Sequence, residues 1–505
     1  MQKKNWWKYA LWVVVATIWT AVCFIAPDFI DNPIESLRSL CTVLGFIGAC
    51  SIAALLLLYV IGANRYVTVV LLPVWALLGS ALAFYRVGYH IAFTPMIIDV
   101  TLHTNPEEAM GVISWQLIAW VVLHLLICGV LIWWRWTKID VRRSWAHILI
   151  GLLLFTGYVN AKHSLTSIVL NQRFPCNIGY HTYSYLLSFQ CESEIRIVPN
   201  YEVKDKADSL TVVFVLGEST RADHLQLNGY ERATTPLLAA RANVVSFPHI
   251  FSEQTYTDIC LPYMLSRADS AHREYQYNEC SFIRILGETG FATAWLSSQD
   301  KCEVYASFIS ESDTMQFVNV GKSVYVYSEW LDEALLGALD SVYMPRPART
   351  FYVLHTIGSH WYYNSHCPER LQRFQPTTTN RVVTNNSIER LINSYDNTVL
   401  YIDYFLDAVI RSVEDECALV VFQSDHGEAL GEEGYYLHGH EIPCVQNPAC
   451  VVWYSERYAA RYPEKIAALH ANKDKRYRTD YLFYSLLSAA GIEAEGETEE
   501  MNIFR

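Results

Sequence analysis

The sequence has few charged side chains and no basic cluster. Charged residues make up 18% of the chain, and the formal net charge is -13. A surface that binds nucleic acid needs clustered Lys and Arg, so we expect no nucleic acid among its partners. The chain also lacks internal repeats and low-complexity tracts, and its 505 residues are enough for about two or three domains.

The composition is too apolar for one soluble globule. Apolar residues make up 52% of the chain, so part of it is expected to lie in lipid. The 15 Trp and 33 Tyr are typical of a chain that crosses the membrane-water interface several times. There are also 13 Cys, most of them after residue 170. If that part lies outside the cytosol, some should form disulfides, although an odd number cannot all pair within one chain.

Five apolar stretches in the first third of the chain are close to the roughly 20 residues that a helix needs to cross a bilayer. They cover about residues 6–26, 40–61, 67–89, 112–134 and 145–159. The first follows Lys3 and Lys4 as a signal peptide would. Its apolar core is too long, however, and no small-residue cleavage site follows before Pro27, so we interpret it as a retained anchor.

The charges of the short loops predict the orientation, because loops rich in Lys and Arg stay cytoplasmic. The basic loops contain Lys3, Lys4, Lys8, Arg65, Arg135, Lys138, Arg142 and Arg143. The alternating loops are acidic and contain Asp28, Asp31, Glu35, Asp99, Glu107 and Glu108. The N-terminus is therefore predicted to be cytoplasmic, and five crossings place everything after about residue 162 outside.

The third loop, about residues 86–111, is too long and too apolar for a simple turn, and residues 93–102 could lie along the membrane surface. Thr104, followed by Glu107 and Glu108, is typical of a helix start with a capping Thr and an acidic first turn. The alternative is that these residues border a polar headgroup next to the membrane.

The rest of the chain is predicted to be a bridging linker over 163–209 and an α/β domain over 210–505, after a five-helix transmembrane domain over 1–162. Buried-type strands are expected at about 210–216, 244–247, 292–296, 350–354, 418–422 and 450–453, and helices at about 386–413 and 479–490. This alternation predicts a largely parallel sheet covered by helices on both faces.

Residues that bind metals follow three of the predicted strands. They are Glu218, the pair Asp425 and His426, and the segment 355–360 with His360; His438 comes soon after the pair. Ligands lie at the carboxyl ends of strands in such sheets, and carboxylate and imidazole are zinc ligands. Each residue alone is more simply a capping or hydrogen-bonded loop residue. Their convergence favours a catalytic metal centre.

A hydroxyl could complete the ligand set. Thr255 and Thr257 precede a helical stretch that contains Leu261-Pro262. A Thr hydroxyl is a poor nucleophile unless a metal or a base removes its proton. Without a metal, Thr257 would be a helix cap.

Seven motifs, taken in order, resemble the phosphoethanolamine transferases of Gram-negative inner membranes, which include lipid A-modifying, colistin- or polymyxin-resistance and core-modifying enzymes. They are G-E-S-T-R-A-D at 217–223, N-G-Y-E-R-A-T-T-P at 228–236, T-Y-T-D-I-C-L-P at 255–262, H-T-I-G-S-H at 355–360, Y-D-N-T-V-L-Y-I-D at 395–403, S-D-H-G-E-A-L-G-E at 424–432 and L-H-G at 437–439. The apolar stretches and T-N-P-E-E-A at 104–109 extend the resemblance over nearly the whole chain.

The resemblance implies an alkaline-phosphatase-like domain in the periplasm with Zn²⁺ as cofactor. It implies that zinc is bound at Glu218, Thr257, Asp425 and His426, with Thr257 as nucleophile and Thr255 as a weaker candidate. It further implies that His360 and His438 bind the phosphate or a second zinc, and that Thr104 and Glu108 contact the ethanolamine headgroup. The implied reaction transfers phosphoethanolamine from phosphatidylethanolamine to lipid A or lipopolysaccharide core through a phosphoethanolamine-threonine intermediate. We expect a monomer.

The sequence departs from the family at several points. Glu253 and Tyr263 replace a Cys pair that often brackets the nucleophile, so we expect other disulfides, Cys176 with Cys191 and Cys444 with Cys450. A Lys that holds the donor in some members has only Lys301 nearby, at a different spacing.

Two other functions stay open. One is a phospho- or sulfo-ester hydrolase, or a glycerol-phosphate transferase, of the same superfamily. The other is a catalytically inactive membrane scaffold or sensor. The motif at 217–223 and the loop at 104–109 favour the phosphoethanolamine transferase, and the sequence leaves its acceptor open.

Overall fold

The structure is a computed structural model of the chain that describes residues 6–30, 32, 34, 36–89, 91–103, 113–141, 144–160, 165–188, 196–301, 305–320, 322, 329–380 and 383–505. The chain divides into two compact units. The first is Met1–Leu186 with Gly321–Ser328, and the second is Leu187–Val320 with Glu329–Arg505.

The first unit is helical throughout its named elements. Its helices are α1 (Trp6–Thr20), α2 (Leu37–Ala63), α3 (Arg65–Tyr89), α4 (Pro95–His103), α5 (Trp115–Lys138), α6 (Ser144–Asn160), α7 (Leu165–Gln172) and α8 (Cys176–Ser188). A π-helical turn and a 3₁₀ turn continue α1 through Phe29.

Four described helices are long and apolar enough to cross a membrane: Trp6–Phe29, Leu37–Ala63, Arg65–Gly88 and Trp115–Lys138. The sequence predicts five. The fifth apolar stretch forms α6, which has only 17 residues. Small residues let these helices approach closely: the Trp12 ring occupies the space that a side chain at Gly62 would need, and its indole N–H donates to the Leu131 carbonyl at 2.9 Å.

The second unit alternates strands and helices. Its strands are β1 (Tyr201–Val203), β2 (Leu210–Gly217), β3 (Val244–Ser246), β4 (Ile250–Phe251), β5 (Ala292–Ser297), β6 (Thr314–Phe317), β7 (Arg349–His355), β8 (Ala418–Ser424), β9 (Ala429–Leu430), β10 (Tyr436–Leu437), β11 (Cys450–Tyr454), β12 (Tyr477–Arg478) and β13 (Ile492–Ala494). Its helices are α9 (Pro236–Ala239), α10 (Thr257–Leu265), α11 (Tyr275–Asn278), α12 (Phe282–Glu288), α13 (Ala306–Ile309), α14 (Ala334–Ser341), α15 (Ile388–Arg411), α16 (Glu456–Arg461), α17 (Pro463–Asn472) and α18 (Tyr481–Ala489).

Seven strands form the main sheet, in the order β3-β11-β8-β2-β7-β5-β6. The pairings of β8, β2, β7, β5 and β6 are parallel, whereas β11 runs antiparallel to both β8 and β3. The sheet is therefore mixed, where the sequence predicts a largely parallel one. The difference arises because no α-helix lies in the described residues between β8 and β11, and antiparallel neighbours need no crossover helix.

The central strand β2 is buried along its whole length. Phe214 belongs to the hydrophobic core on one face of the sheet, with Leu482 of α18, and Val213 belongs to the core on the other face, with Val399 of α15. Burial on both faces explains the uninterrupted apolar run in the sequence.

The register of the sheet brings three strand ends together. Gly217 of β2 pairs with Ser424 of β8, and Leu216 pairs with His355 of β7. Because these strands are parallel neighbours, the residues that follow them lie side by side at one edge of the sheet.

The predicted disulfide between Cys444 and Cys450 is wrong, since both are free thiols. Cys450 is buried in β11 with its sulfur 3.1 Å from the Tyr481 hydroxyl, so its thiol is part of the core. Cys176 is also a free thiol, and its predicted partner Cys191 lies outside the described residues.

Candidate active site

Glu218 and Asp425 are held at adjacent strand ends by Ser219. The Ser219 backbone N–H donates to Asp425 Oδ1 at 3.1 Å, and its hydroxyl donates to Glu218 Oε1 at 2.7 Å. Ser219 has a φ of 56°, a left-handed conformation that costs about 1–3 kcal/mol in a non-glycine residue. The two hydrogen bonds stabilise this turn and fix both carboxylates.

Thr257 is the first residue of α10, and the N-cap is Tyr256. Its hydroxyl therefore does not cap the helix, which was the simpler interpretation of the sequence. Instead it donates to Glu218 Oε2 at 2.9 Å and lies 3.3 Å from His426 Nε2. Thr257 is partly exposed, whereas Thr255 is buried. The structure thus brings Glu218, Thr257, Asp425 and His426 together, with the Thr257 hydroxyl within reach of solvent.

The side chain of His426 is oriented like a metal ligand. Its Nδ1 lies 2.8 Å from the Gly427 carbonyl, so a proton there leaves the Nε2 lone pair free to bind a cation. Nε2 lies 3.2 Å from Asp425 Oδ2 and 3.6 Å from Glu218 Oε1. Ligand atoms of Glu218, His426 and His438 all lie within 4.8 Å of one another.

The charges of this cluster fit a divalent cation. Asp425 Oδ2 is buried and has no hydrogen-bond donor among the described residues. Burial raises the pKa of Asp425 to about 6, and the neighbouring Glu218 carboxylate adds to the shift. Burial would also raise the pKa of Glu218, but the imidazoles of His426, His360 and His438 outweigh it and lower that pKa. Two carboxylates, an imidazole and a hydroxyl around an unsatisfied oxygen are donors that suit Zn²⁺.

A second group of side chains lies beside this cluster. The His438 ring is 4.8 Å from the His426 ring and 6.0 Å from the His360 ring. Glu428 is buried, with Oε2 3.3 Å from His438 Nδ1, and its Oε1 accepts a hydrogen bond from the Tyr363 hydroxyl at 3.1 Å. Burial alone would lower the pKa of His438, but Glu428 raises it to about 9. His438 is therefore a cation at neutral pH, which suits a phosphate oxygen, whereas burial lowers the pKa of His360.

Gly439 packs the loop of His438 against the residues that precede Thr257. Its φ is 89°, and a Cβ there would overlap the Tyr256 ring, so a side chain at this position is excluded. Its backbone N–H donates to the Thr255 carbonyl at 3.0 Å. The L-H-G motif is thus tied to the loop that begins α10.

Gln299 and Glu428 belong to the site but were missed in the sequence. Gln299 Nε2 donates to Glu218 Oε2 at 3.2 Å and to the Thr356 carbonyl at 2.8 Å. Its position just after β5, at the same edge of the sheet, could have predicted that it lies at the site. It was missed because an amide is not a typical metal ligand. Glu428 lies inside the S-D-H-G-E motif, where its contact with His438 depends on tertiary structure. Thr104 and Glu108, the predicted headgroup contacts, lie outside the described residues.

Two family models match the chain. Residues 211–492 match the model described as Sulfatase, and residues 49–172 match that described as Phosphoethanolamine transferase EptA/EptB. The phosphoethanolamine transferase EptA of Salmonella typhimurium (strain LT2) is 28% identical over 528 residues, which cover 95% of this chain and 94% of that protein.

Solved structures share the fold of the second unit. The soluble domain of lipooligosaccharide phosphoethanolamine transferase A from Neisseria meningitidis is 30% identical, with a TM-score of 0.55, over 61% of this chain and 97% of that one. The C-terminal periplasmic domain of EcEptC from Escherichia coli, in complex with Zn, is 22% identical, with a TM-score of 0.55, over 62% of this chain and 90% of that one.

A sulfatase-type domain with carboxylate, imidazole and hydroxyl donors at its strand ends defines an enzyme of the alkaline phosphatase superfamily. Within it, the chain belongs to the phosphoethanolamine transferases. The predicted family and the predicted class of enzyme are confirmed.

Proposed function

We propose that this chain transfers phosphoethanolamine from phosphatidylethanolamine to lipid A or to the lipopolysaccharide core through an intermediate on Thr257. The observation that carries this proposal is the position of the Thr257 hydroxyl, 2.9 Å from Glu218 Oε2 and 3.3 Å from His426 Nε2. The acceptor is proposed by likeness to the lipooligosaccharide enzyme of Neisseria meningitidis.

The cofactor of this reaction is proposed to be Zn²⁺, bound by Glu218, Thr257, Asp425 and His426. The unsatisfied Asp425 Oδ2 and the zinc complex of the related EcEptC domain support this choice. When bound, Zn²⁺ would lower the pKa of the Thr257 hydroxyl and polarise a phosphoryl oxygen. His360 and His438 bind the phosphate in this proposal, and a second zinc there is the alternative.

The protein side chains then divide the work of two displacements. In the first, the Thr257 hydroxyl gives up its proton to solvent, and Oγ1 attacks the phosphorus of the donor. The bond from phosphorus to the diacylglycerol oxygen breaks, and diacylglycerol leaves with a proton. In the second, an acceptor oxygen attacks the same phosphorus and the bond to Thr257 breaks, which restores the hydroxyl. The His438 imidazolium offsets the charge that spreads over the phosphoryl oxygens in both steps.

The helical unit would hold the enzyme beside its lipid donor. We propose a transmembrane domain over 1–162 with five crossings, a linker over 163–209 and a catalytic domain over 210–505. The basic loops favour an N-terminus in the cytoplasm and a catalytic domain in the periplasm, where the site would work at the outer surface of the inner membrane. Thr104 and Glu108 are proposed to contact the headgroup, with Glu108 paired to its ammonium, and the enzyme is proposed to act as a monomer.

Labelled phosphatidylethanolamine tests the proposal against a hydrolase of the same superfamily. Full-length protein with a lipopolysaccharide acceptor should release diacylglycerol and label the acceptor. Free labelled phosphoethanolamine without labelled acceptor would indicate a hydrolase instead. Mass spectrometry of lipopolysaccharide from cells with and without the gene then locates the added group on lipid A or on the core.

A further inference from the structure

A second polar pocket lies in the first unit, where several long helices end. It has a volume of about 440 Å³ and is lined by residues of the α2–α3 and α5–α6 connections. The lining residues that matter here are Arg65, Tyr66, Arg135, Trp136, Lys138 and Asp140. They are far along the chain from every motif of the candidate active site.

Arg135 is the buried cation of this pocket. Its side chain is 3% exposed, and its guanidinium donates to the carbonyls of Gly62 at 2.5 Å, Ala63 at 3.1 Å and Ile139 at 2.9 Å. These carbonyls lie at the C-terminal ends of α2 and α5, where a helix has no backbone donors left for them. The two helix ends are thus tied together by one buried cation.

Two further cations line this pocket. The Arg65 guanidinium lies 5.1 Å from the Tyr66 ring centroid and 4.8 Å from that of Trp136. The Lys138 ammonium lies 5.8 Å from the Trp133 ring. In the part of the chain that the structure describes, neither Arg65 nor Lys138 forms an ion pair, and Asp140 is the only carboxylate that lines the pocket.

The pocket therefore carries three cations against one carboxylate. Arg135 satisfies carbonyls at the C-terminal ends of α2 and α5, whereas two other helices begin at the pocket. Helix α3, of 25 residues, begins at Arg65, and α6, of 17 residues, begins at Ser144, which also lines the pocket. The N-terminus of a helix carries partial positive charge and favours anions, phosphate groups in particular. A phosphate is an anion that both a flat guanidinium and an ammonium bind well.

The helices that form the pocket identify the source of that phosphate. α2, α3 and α5 are all long and apolar enough to cross a membrane, so the ends that line the pocket lie at the level of the lipid headgroups. Tyr66 and Trp136 are aromatic residues of the kind that accumulate at this level. Basic pockets between such helices bind anionic lipid headgroups.

We infer that this pocket binds the phosphate of one anionic phospholipid, from the leaflet at this end of the helices. The loop charges predict this leaflet to be the cytoplasmic one. An anionic headgroup is selected over a zwitterionic one because an ammonium would be repelled by Arg65, Arg135 and Lys138. The inference does not depend on the transferase reaction.

Native mass spectrometry of the full-length protein in detergent tests this inference. Phosphatidylglycerol, phosphatidylethanolamine or inorganic phosphate is titrated into the wild type, the double variant Arg65→Gln with Lys138→Gln, and the control Arg38→Gln. Arg38 is an exposed cation at the other end of α2, whose 27 residues span about 40 Å. The control thus removes the same kind of charge far from the pocket.

We expect the wild type and Arg38→Gln to retain one phosphatidylglycerol, and the double variant to bind it roughly tenfold or more weakly. Phosphatidylethanolamine should bind the wild type at least about tenfold more weakly than phosphatidylglycerol. Equal binding of the two lipids, unchanged binding in the double variant, or displacement of the lipid by millimolar inorganic phosphate would each overturn the inference. If the double variant fails to fold, the lipid comparison and the phosphate competition on the wild type still decide it.

Discussion

The strand-end site of the second unit and the helix-end pocket of the first bury charge in opposite ways. At the strand ends, Asp425 Oδ2 is buried without a donor among the described residues, next to a second carboxylate, Glu218. In the helical unit, all three nitrogen positions of the Arg135 guanidinium donate to backbone carbonyls. Buried polar groups are normally satisfied, so an exception calls for a missing partner. In these two places, the unsatisfied buried carboxylate belongs to the candidate chemistry, whereas the fully bonded guanidinium belongs to the architecture.

The largest effect is expected at the strand-end site, when the Thr257 hydroxyl is removed. Thr257→Ala should lower transfer roughly a thousandfold or more, because no group remains to carry the intermediate. Thr257→Ser should keep part of the activity. The measurement is transfer of labelled phosphoethanolamine, together with peptide mass spectrometry of the protein trapped without acceptor.

Thr255→Ala is the matched control, since it removes a neighbouring hydroxyl that is buried. It should keep the phosphoethanolamine adduct on Thr257. An adduct on Thr255, or an adduct that survives in Thr257→Ala, would show that the nucleophile is assigned wrongly.

The next test compares Asp425, a buried carboxylate proposed to bind zinc, with Asp396, a buried carboxylate that is already paired within the protein. Asp425→Asn should reduce bound zinc to well below one equivalent, measured by elemental analysis. It should also raise the unfolding temperature of the metal-free protein, because it removes a buried charge that repels Glu218.

Asp396 provides the contrast. It is as buried as Asp425, but its carboxylate lies 2.6 Å from His224 Nδ1 and 2.9 Å from Arg232 Nη1. Asp396→Asn should therefore destabilise the metal-free protein by about 3–5 kcal/mol, the usual cost of breaking a buried pair. If both substitutions destabilise it to the same degree, Asp425 is already satisfied and the distinction fails.

Much of the second unit could be predicted because its signals are local. Apart from Thr211, the run that became β2 is apolar, which is what burial on both faces requires, and Glu218 follows it directly. The direction of β11 could not be predicted in the same way. Its residues are buried whichever way it runs, and only the connection from β8, which holds short strands and no α-helix, decides the pairing.

The contacts of the site that were missed share one cause. Gln299 contacts Glu218 and Glu428 contacts His438, and each partner lies elsewhere in the sequence. Neither Gln299 nor Glu428 belongs to a recognisable metal-ligand pattern of its own. The wrong disulfide has a similar origin. Cys444 and Cys450 are close in sequence, but Cys450 is fixed in β11 with its sulfur against Tyr481.

Substitution of Arg135 tests whether its hydrogen bonds stabilise the helix ends of the first unit. Arg135→Gln should lower the unfolding free energy by about 3 kcal/mol, since up to three carbonyls at helix ends lose a donor. Bound zinc per folded protein should not change. Arg65→Gln, which removes an exposed cation from the same pocket, is the control and should leave the unfolding temperature nearly unchanged. A similar loss in both variants would mean that net charge, rather than the bonds of Arg135, stabilises the helix ends.

The smallest expected effect is the pH dependence of stability that comes from the Glu428–His438 pair. Glu428 raises the pKa of His438 to about 9, above the value of about 6.5 of an unperturbed His. The pair therefore contributes stability that is fully present below about pH 6.5 and is lost as the pH rises through about 9. Because His438 is 25% exposed, we expect a loss of about 2 kcal/mol rather than the full value of the shift.

Unfolding temperatures of the metal-free protein between pH 6 and pH 10 measure this loss. Glu428→Gln should be less stable than the wild type at the acidic end and converge with it at the alkaline end. Lys465, whose pKa burial lowers to about 8, titrates in the same range in both proteins, so only the difference between the curves reports on His438. Glu432→Gln, which removes an acid that pairs with Arg221 instead, should run parallel to the wild type. If the curve for Glu428→Gln also runs parallel to that of the wild type, the Glu428 carboxylate does not raise the pKa of His438, and the prediction is wrong.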